Sequence, residues 1–171
     1  MVRAGLGRLN AALDRLTCGA SSVLLGAIFV IMLLQIAFRY VLNAPLVWTE
    51  ELARYLYVWT CYLGGVVALR RGNHIVIALV QERLPGRLRT AVVLGLHALA
   101  LGFLGVLAVQ GVRLALRTHT VMAITLPIPW SAIYAAAPVA AVLMILQTLE
   151  AVSDTLTAPA RPAPPALEVR P

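Results

Sequence analysis

The sequence predicts an all-α integral membrane protein: four transmembrane helices, a short interfacial helix between the second and third, and both termini in the cytoplasm. Three observations predict it. Of the 171 residues, 61% are hydrophobic and only 12% charged, against roughly 45–50% and about 25% in an ordinary soluble domain. The charges leave four long apolar gaps. All 14 basic residues are arginines, unevenly divided between the two ends of those gaps. The same composition excludes a disordered chain, a collagen, a disulfide scaffold and a typical water-soluble enzyme.

The first gap, residues 16–38, lies between Arg15 and Arg39. At 1.5 Å per residue it makes about 34 Å of helix, enough to cross a hydrocarbon core of ~30 Å. Arg3, Arg8 and Arg15 precede it, as before a secretory signal. A signal's apolar region, however, holds only about 7–15 residues and ends at small side chains. This run is longer and ends in Phe38-Arg39-Tyr40, so it reads as a retained signal anchor. The second gap, residues 55–69, is too short alone, at about 22 Å. The stretch before it is helical in pattern, with Glu50 and Arg54 spaced i,i+4 and Glu51 and Tyr55 on one face. Joined, residues 48–69 reach across, and their charges stay in the first two turns, close to the interface.

The third span covers residues 90–112. Along it Ala91, Gly95, Ala98, Gly102 and Gly105 alternate spacings of four and three. Such a stripe lets another helix approach closely, although a chain rich in Ala and Gly also produces it by chance. The fourth span covers residues 130–149, with Pro129 suited to a helix start and Pro138 placed to kink the interior. Between the second and third spans, residues 74–84 follow a capping Asn73 and stop at Pro85-Gly86. Their ~16 Å is too little to span, and a helix lying along the interface is expected. Residues 1–157 thus form the membrane domain. Residues 158–171, rich in Pro and Ala, form a disordered cytoplasmic tail.

Orientation follows from the arginines. Arg3, Arg8 and Arg15, then Arg70, Arg71, Arg83, Arg87 and Arg89, and finally Arg161 and Arg170 lie on one side. Arg39, Arg54, Arg113 and Arg117 lie on the other. Ten against four puts the termini and the middle loop in the cytoplasm. A pI near 10.4 does not imply nucleic acid, because the arginines are scattered between apolar runs instead of clustered on a solvated face.

Chemistry is sparse. His97 is the one ionisable side chain near a span centre, and it suits a helix-to-helix hydrogen bond better than a proton relay. His74 and His119 fall in loops on opposite sides, so no facing pair for haem exists. Cys18 and Cys61 lie in apolar runs without metal-ligand spacing and read as small core residues. No nucleophile–base pair, phosphate loop or metal constellation occurs, so no enzyme, no cofactor and no metal are expected. Polar residues gather instead around the turn joining the first two spans: Arg39, Tyr40, Asn43, Trp48, Glu50, Glu51 and Arg54. They form either an ordinary polar cap with belt aromatics or a lock in which Arg39 or Arg54 pairs with Glu50 or Glu51.

The run Phe38-Arg39-Tyr40-Val41-Leu42-Asn43-Ala44-Pro45-Leu46-Val47-Trp48-Thr49-Glu50-Glu51 continues through Arg54-Tyr55 and Trp59 to Gly64. Then come Ala68-Leu69-Arg70-Arg71-Gly72-Asn73-His74-Ile75. This resembles the signature of the small membrane subunit of tripartite ATP-independent periplasmic (TRAP) transporters. Leu126-Pro127-Ile128-Pro129-Trp130, followed by Tyr134 and Pro138, is similar to that family's approach to its last helix. The likeness extends over about residues 8–152.

The resemblance implies a non-catalytic subunit in the inner membrane. It would scaffold a large membrane subunit that moves an organic acid inward on an ion gradient, after delivery by a periplasmic solute-binding protein. The expected partners are those two proteins and the phospholipid bilayer, with no nucleic acid. Arg39, Tyr40, Asn43, Pro45, Trp48, Glu50, Glu51, Arg54, Trp59, Gly64, Arg70, His74, Pro127 and Trp130 are carried over as motif residues for subunit interfaces or helix locking. Arg113, Arg117 and His119 lie in the other outward loop, where they either attract an acidic patch of the delivering protein or are ordinary solvated charges. The competing function is an autonomous small transporter acting as a homo-oligomer, against which the scarcity of charge within the spans argues.

Overall fold

A computed structural model describes residues 2–83 and 86–157, with side chains placed for residues 13–71, 88 and 90–157. Five helices follow in order: α1 (Val2–Tyr40), α2 (Val47–Arg83), α3 (Gly86–Arg117), α4 (Ser131–Tyr134) and α5 (Ala136–Thr157). Four stretches within them are long and apolar enough to cross a membrane: Leu13–Tyr40, Val47–Arg71, Thr90–Arg117 and Ser131–Thr157. The α1–α2 turn and the α3–α4 loop share one end of the bundle, here the loop end, where Gln35 of α1 and the α3–α4 loop are both bonded to the start of α2.

α1 packs mainly against α2. Its more covered positions, Thr17, Ser21, Leu24, Ile28, Ile31, Gln35 and Phe38, alternate spacings of four and three. Leu25, Phe29 and Leu33 on the other faces are exposed. The hydroxyls of Thr17, Ser21 and Ser22 donate to carbonyls one turn back, which satisfies them inside an apolar helix. Asn43 closes the following turn at φ 50, a left-handed conformation that Asn tolerates better than other residues with a Cβ.

The core lies where α5 meets α2 and α3. Ala136, Ala140 and Ala141 are buried on α5, as are Val66 on α2 and Leu104 on α3. At Gly111 a Cβ would stand 2.7 Å from Pro138 Cδ, so only glycine admits the α3–α5 crossing there. The stripe expected to receive a neighbour does not do so. Ala91, Gly95, Ala98 and Gly102 are exposed, and a Cβ on Gly95, Gly102 or Gly105 would meet nothing within 4 Å. α3 instead turns Val93, Leu104 and Gly111 inward, because bulk that fills α5's alanine face fixes the rotation of the helix.

The last span is interrupted at Ala135, between α4 and α5. Pro138 has no N–H for the Tyr134 carbonyl, and its ring crowds that carbonyl, so the expected distortion falls one turn ahead of the proline. A second expectation needs correction. Residues 74–83 are helical, but as an unbroken extension of α2, not as a separate element starting at Asn73. One glycine costs only about 1 kcal/mol in a helix, and an Asn caps only where the chain has already left the helix. Residue 84, at the end of that segment, and the tail at 158–171 lie outside the described residues.

Candidate functional site

Three side chains on one face of α2, Glu51, Tyr55 and Trp59, stand a turn apart and bond α4 and the segment that leads into it. That segment is a folded hairpin. Ala123 N–H donates to the Ile128 carbonyl at 3.0 Å and Trp130 N–H to the Val121 carbonyl at 2.9 Å, around a bridge between Met122 and Pro129. Glu51 Oε1 accepts the Ile124 N–H at 3.0 Å and Oε2 accepts the Thr125 N–H at 2.7 Å, with the Thr125 hydroxyl on the same oxygen. One turn further along α2, the buried Tyr55 points its hydroxyl at the Ile128 carbonyl, 3.5 Å away. A turn beyond that, the Trp59 Nε1–H donates to the Ala132 carbonyl at 2.9 Å. The Trp130 and Tyr134 rings lie 6.2 Å apart beside this ladder.

A carboxylate that receives both backbone donors of a tight turn holds the turn in register and removes the main cost of keeping a charge beside hydrocarbon. The other acid binds elsewhere. Glu50 Oε1 accepts Gln35 Nε2–H at 3.0 Å, which ties α1 to α2. This contact between α1 and α2 is not the expected arginine–glutamate pair. Neither Arg39 nor Arg54 pairs with Glu50 or Glu51 among the described residues; both arginines are exposed. Amides and a hydroxyl already saturate Glu51, and Gln35, one turn deeper than Arg39, faces α2 where Arg39 does not.

The motif residues thus divide. Glu50, Glu51 and Trp59 make the side-chain bonds just described, and the Trp130 ring lies by Tyr134. Asn43 and Pro45 shape the α1–α2 turn, with Tyr40 and Trp48 exposed beside it. Pro127 lies within the hairpin turn. Gly64 has open space around it, and the close glycine on α2 is its neighbour Gly65, where a Cβ would stand 3.0 Å from Met144 Cε. Arg70 is half-buried at the opposite end, and the side chain of His74 lies outside the described set. Thr125 and Ile124 escaped sequence reasoning, because a loop residue's backbone partner leaves no periodic trace; Gln35, a helical side chain, was passed over in favour of the arginines. The i,i+4 spacing of Glu51, Tyr55 and Trp59 was the available signal.

His97 differs from expectation as well. Its Nδ1–H donates to Val93 O of its own helix at 2.7 Å, not to another helix, and its buried Nε2 has no partner among the described residues. Cys61 is exposed and Cys18 half-buried, so Cys61 is not a core residue. Among the described residues no three His, Cys, Asp or Glu gather to hold a metal ion.

Comparison with known proteins gives this arrangement its context. Residues 28–158 match the family described as tripartite ATP-independent periplasmic transporters, DctQ component. The chain is 34% identical over 133 residues to the sialic acid TRAP transporter small permease protein SiaQ of Vibrio cholerae, covering 78% of this chain and 77% of that protein. It is 32% identical over 108 residues to the C4-dicarboxylate TRAP transporter small permease protein DctQ of Rhodobacter capsulatus, covering 61% and 47%. It is also 41% identical over 63 residues to the sialic acid TRAP transporter permease protein SiaT of Haemophilus influenzae, 37% of this chain but only 10% of that protein. With the four apolar spans, a match over most of the sequence places the chain in the DctQ family of TRAP-transporter small permease components.

Proposed function

We propose that this chain is a non-catalytic scaffold for a large membrane subunit that takes up an organic acid on an ion gradient, after delivery by a periplasmic binding protein. The observation that carries the reading is the match to one segment making up a tenth of a much longer permease. A relative of this chain there accompanies a far larger membrane polypeptide. The character of the interior supports it: apart from the Tyr55 phenol, the buried polar side chains among the described residues are Thr17, Thr49, Gln147 and Thr148, none of them charged. Relatives named for sialic acid and C4-dicarboxylates, both carboxylates, support an organic acid as cargo.

The arginine distribution supports an inner-membrane topology with both termini cytoplasmic. The loop end, with its hairpin, then faces the periplasm, and residues 74–83 extend α2 along or beyond the cytoplasmic interface.

Reconstitution tests the reading. Liposomes holding this chain with its large partner, supplied with binding protein, labelled acid and an ion gradient, should accumulate label. Liposomes holding the chain alone should not. Flux through the chain alone would overturn the scaffold role in favour of an autonomous transporter.

A further inference from the structure

The hairpin between α3 and α4 ends in apolar side chains that nothing in the chain covers. Ile124 is 92% exposed, Met122 62% and Val121 51%. In water such a tip would be a liability. Its depth accounts for it. A ~30 Å hydrocarbon core takes about 20 residues of helix, and counting that many back along α2 from the Arg70–Arg71 pair closing its apolar run arrives at Glu51. Ile124 is held to Glu51 directly, N–H to Oε1 at 3.0 Å. The tip therefore sits level with the edge of the hydrocarbon. Two independent markers agree on that depth. Trp48 and Trp130 bracket it, as interfacial aromatics do. Arg113 and Arg117, both exposed, lie about 35 Å and more along α3 from Thr90, beyond the apolar core and level with phosphates.

We propose that the 118–130 hairpin is a lipid anchor: Val121, Met122 and Ile124 enter the headgroup–acyl boundary of the adjoining leaflet, while Arg113 and Arg117 meet lipid phosphates. Shallow insertion of apolar side chains beside cations is the physics of interfacial helices, here performed by a loop that Glu51 keeps rigid. The inference rests on the chain spanning a bilayer and not on the identity of any protein partner.

The test places an environment-sensitive fluorophore on Ile124→Cys, and separately on Met122→Cys, in full-length chain carrying Cys18→Ala and Cys61→Ala. The chain is reconstituted alone in nanodiscs of zwitterionic and anionic phospholipid, with Phe29→Cys as a deep reference. The expected result is blue-shifted emission that loses intensity to lipids bearing a nitroxide near the headgroup and resists aqueous iodide. Water-like emission, quenched by iodide but not by the nitroxide lipids, would overturn the proposal. Shielding that arises only on adding a large permease subunit or a soluble binding protein would also overturn it, assigning the tip to a protein interface.

Discussion

Glu51 illustrates how a single side chain sets the geometry of a distant loop. It offers two oxygens to three donors on Ile124 and Thr125. Glutamine at the same position keeps the shape but replaces one acceptor with a donor, so at least one loop N–H loses its partner. In Glu51→Gln, residues 122–128 should become sensitive to protease or exchange faster in mass-spectrometric deuterium labelling, with helix content unchanged. Unaltered protection of the hairpin would mean that Glu51 does not clamp it. Trp59→Phe deletes the bond to the Ala132 carbonyl while keeping the ring. The loss should be about 1 kcal/mol, typical of one such bond between membrane helices, read as a small drop in thermal midpoint in detergent. Asn43 makes a conformational prediction. Its φ of 50 suits glycine as well as Asn, so Asn43→Gly should be near neutral. Asn43→Val, with a branched Cβ in the left-handed region, should cost about 1–2 kcal/mol.

The helices meet through contrasts in side-chain size. Gly111 faces Pro138 so closely that a Cβ would fall 2.7 Å from the ring, whereas Gly102 opens onto free space. Gly111→Val should therefore push α3 off α5 at a cost of about 1–3 kcal/mol, the usual range for overpacking. Gly102→Ala should leave the thermal midpoint where it was or raise it slightly, since alanine is the better helix former. Equal effects of the two substitutions would mean that α3 is rotated differently. This pair also marks what the sequence makes legible. Span number and position follow from charge-free length, because a bilayer of fixed thickness imposes it. The contacting glycine does not, since several small residues share α3 and only the shape of α5 selects among them. The unbroken passage of α2 through Gly72 and Asn73 escaped for a similar reason: local breakers are weak against a helix already hydrogen-bonded on both sides. At the site, Glu51 and Tyr55 were legible as sharing one face, and Trp59, four residues on, extends it. Its partner was not, since that partner is backbone in a loop more than seventy residues away.

Across the whole bundle the four spans are unequally held. None of the most apolar window of the first span is buried within the chain, whereas 39% of the window in the last span is. α5 sits between α2 and α3, while α1 leans mainly on α2 and is tied at the loop end by Gln35 and Glu50. Stability within a fold follows such differences, since segments with fewer tertiary contacts open at lower free energy than the core. In detergent, where water reaches a helix that has lost its neighbours, amides of 13–40 should exchange before those of 136–157 as denaturing detergent is raised. Gln35→Leu, which removes the tie to Glu50, should lower the detergent concentration at which α1 exchanges and leave α5 unchanged. Simultaneous exchange of the two helices would mean that the bundle unfolds as one unit. Earlier exchange of α5 would contradict its central position. The order also bears on assembly, because the helix least held by its own chain has the most side-chain surface free for lipid or another subunit. Protection of α1 that rises when a large permease subunit is added, with α5 unaffected, would identify α1 as the surface that subunit covers. Protection of neither helix would direct the search for that interface to the exposed face of α3.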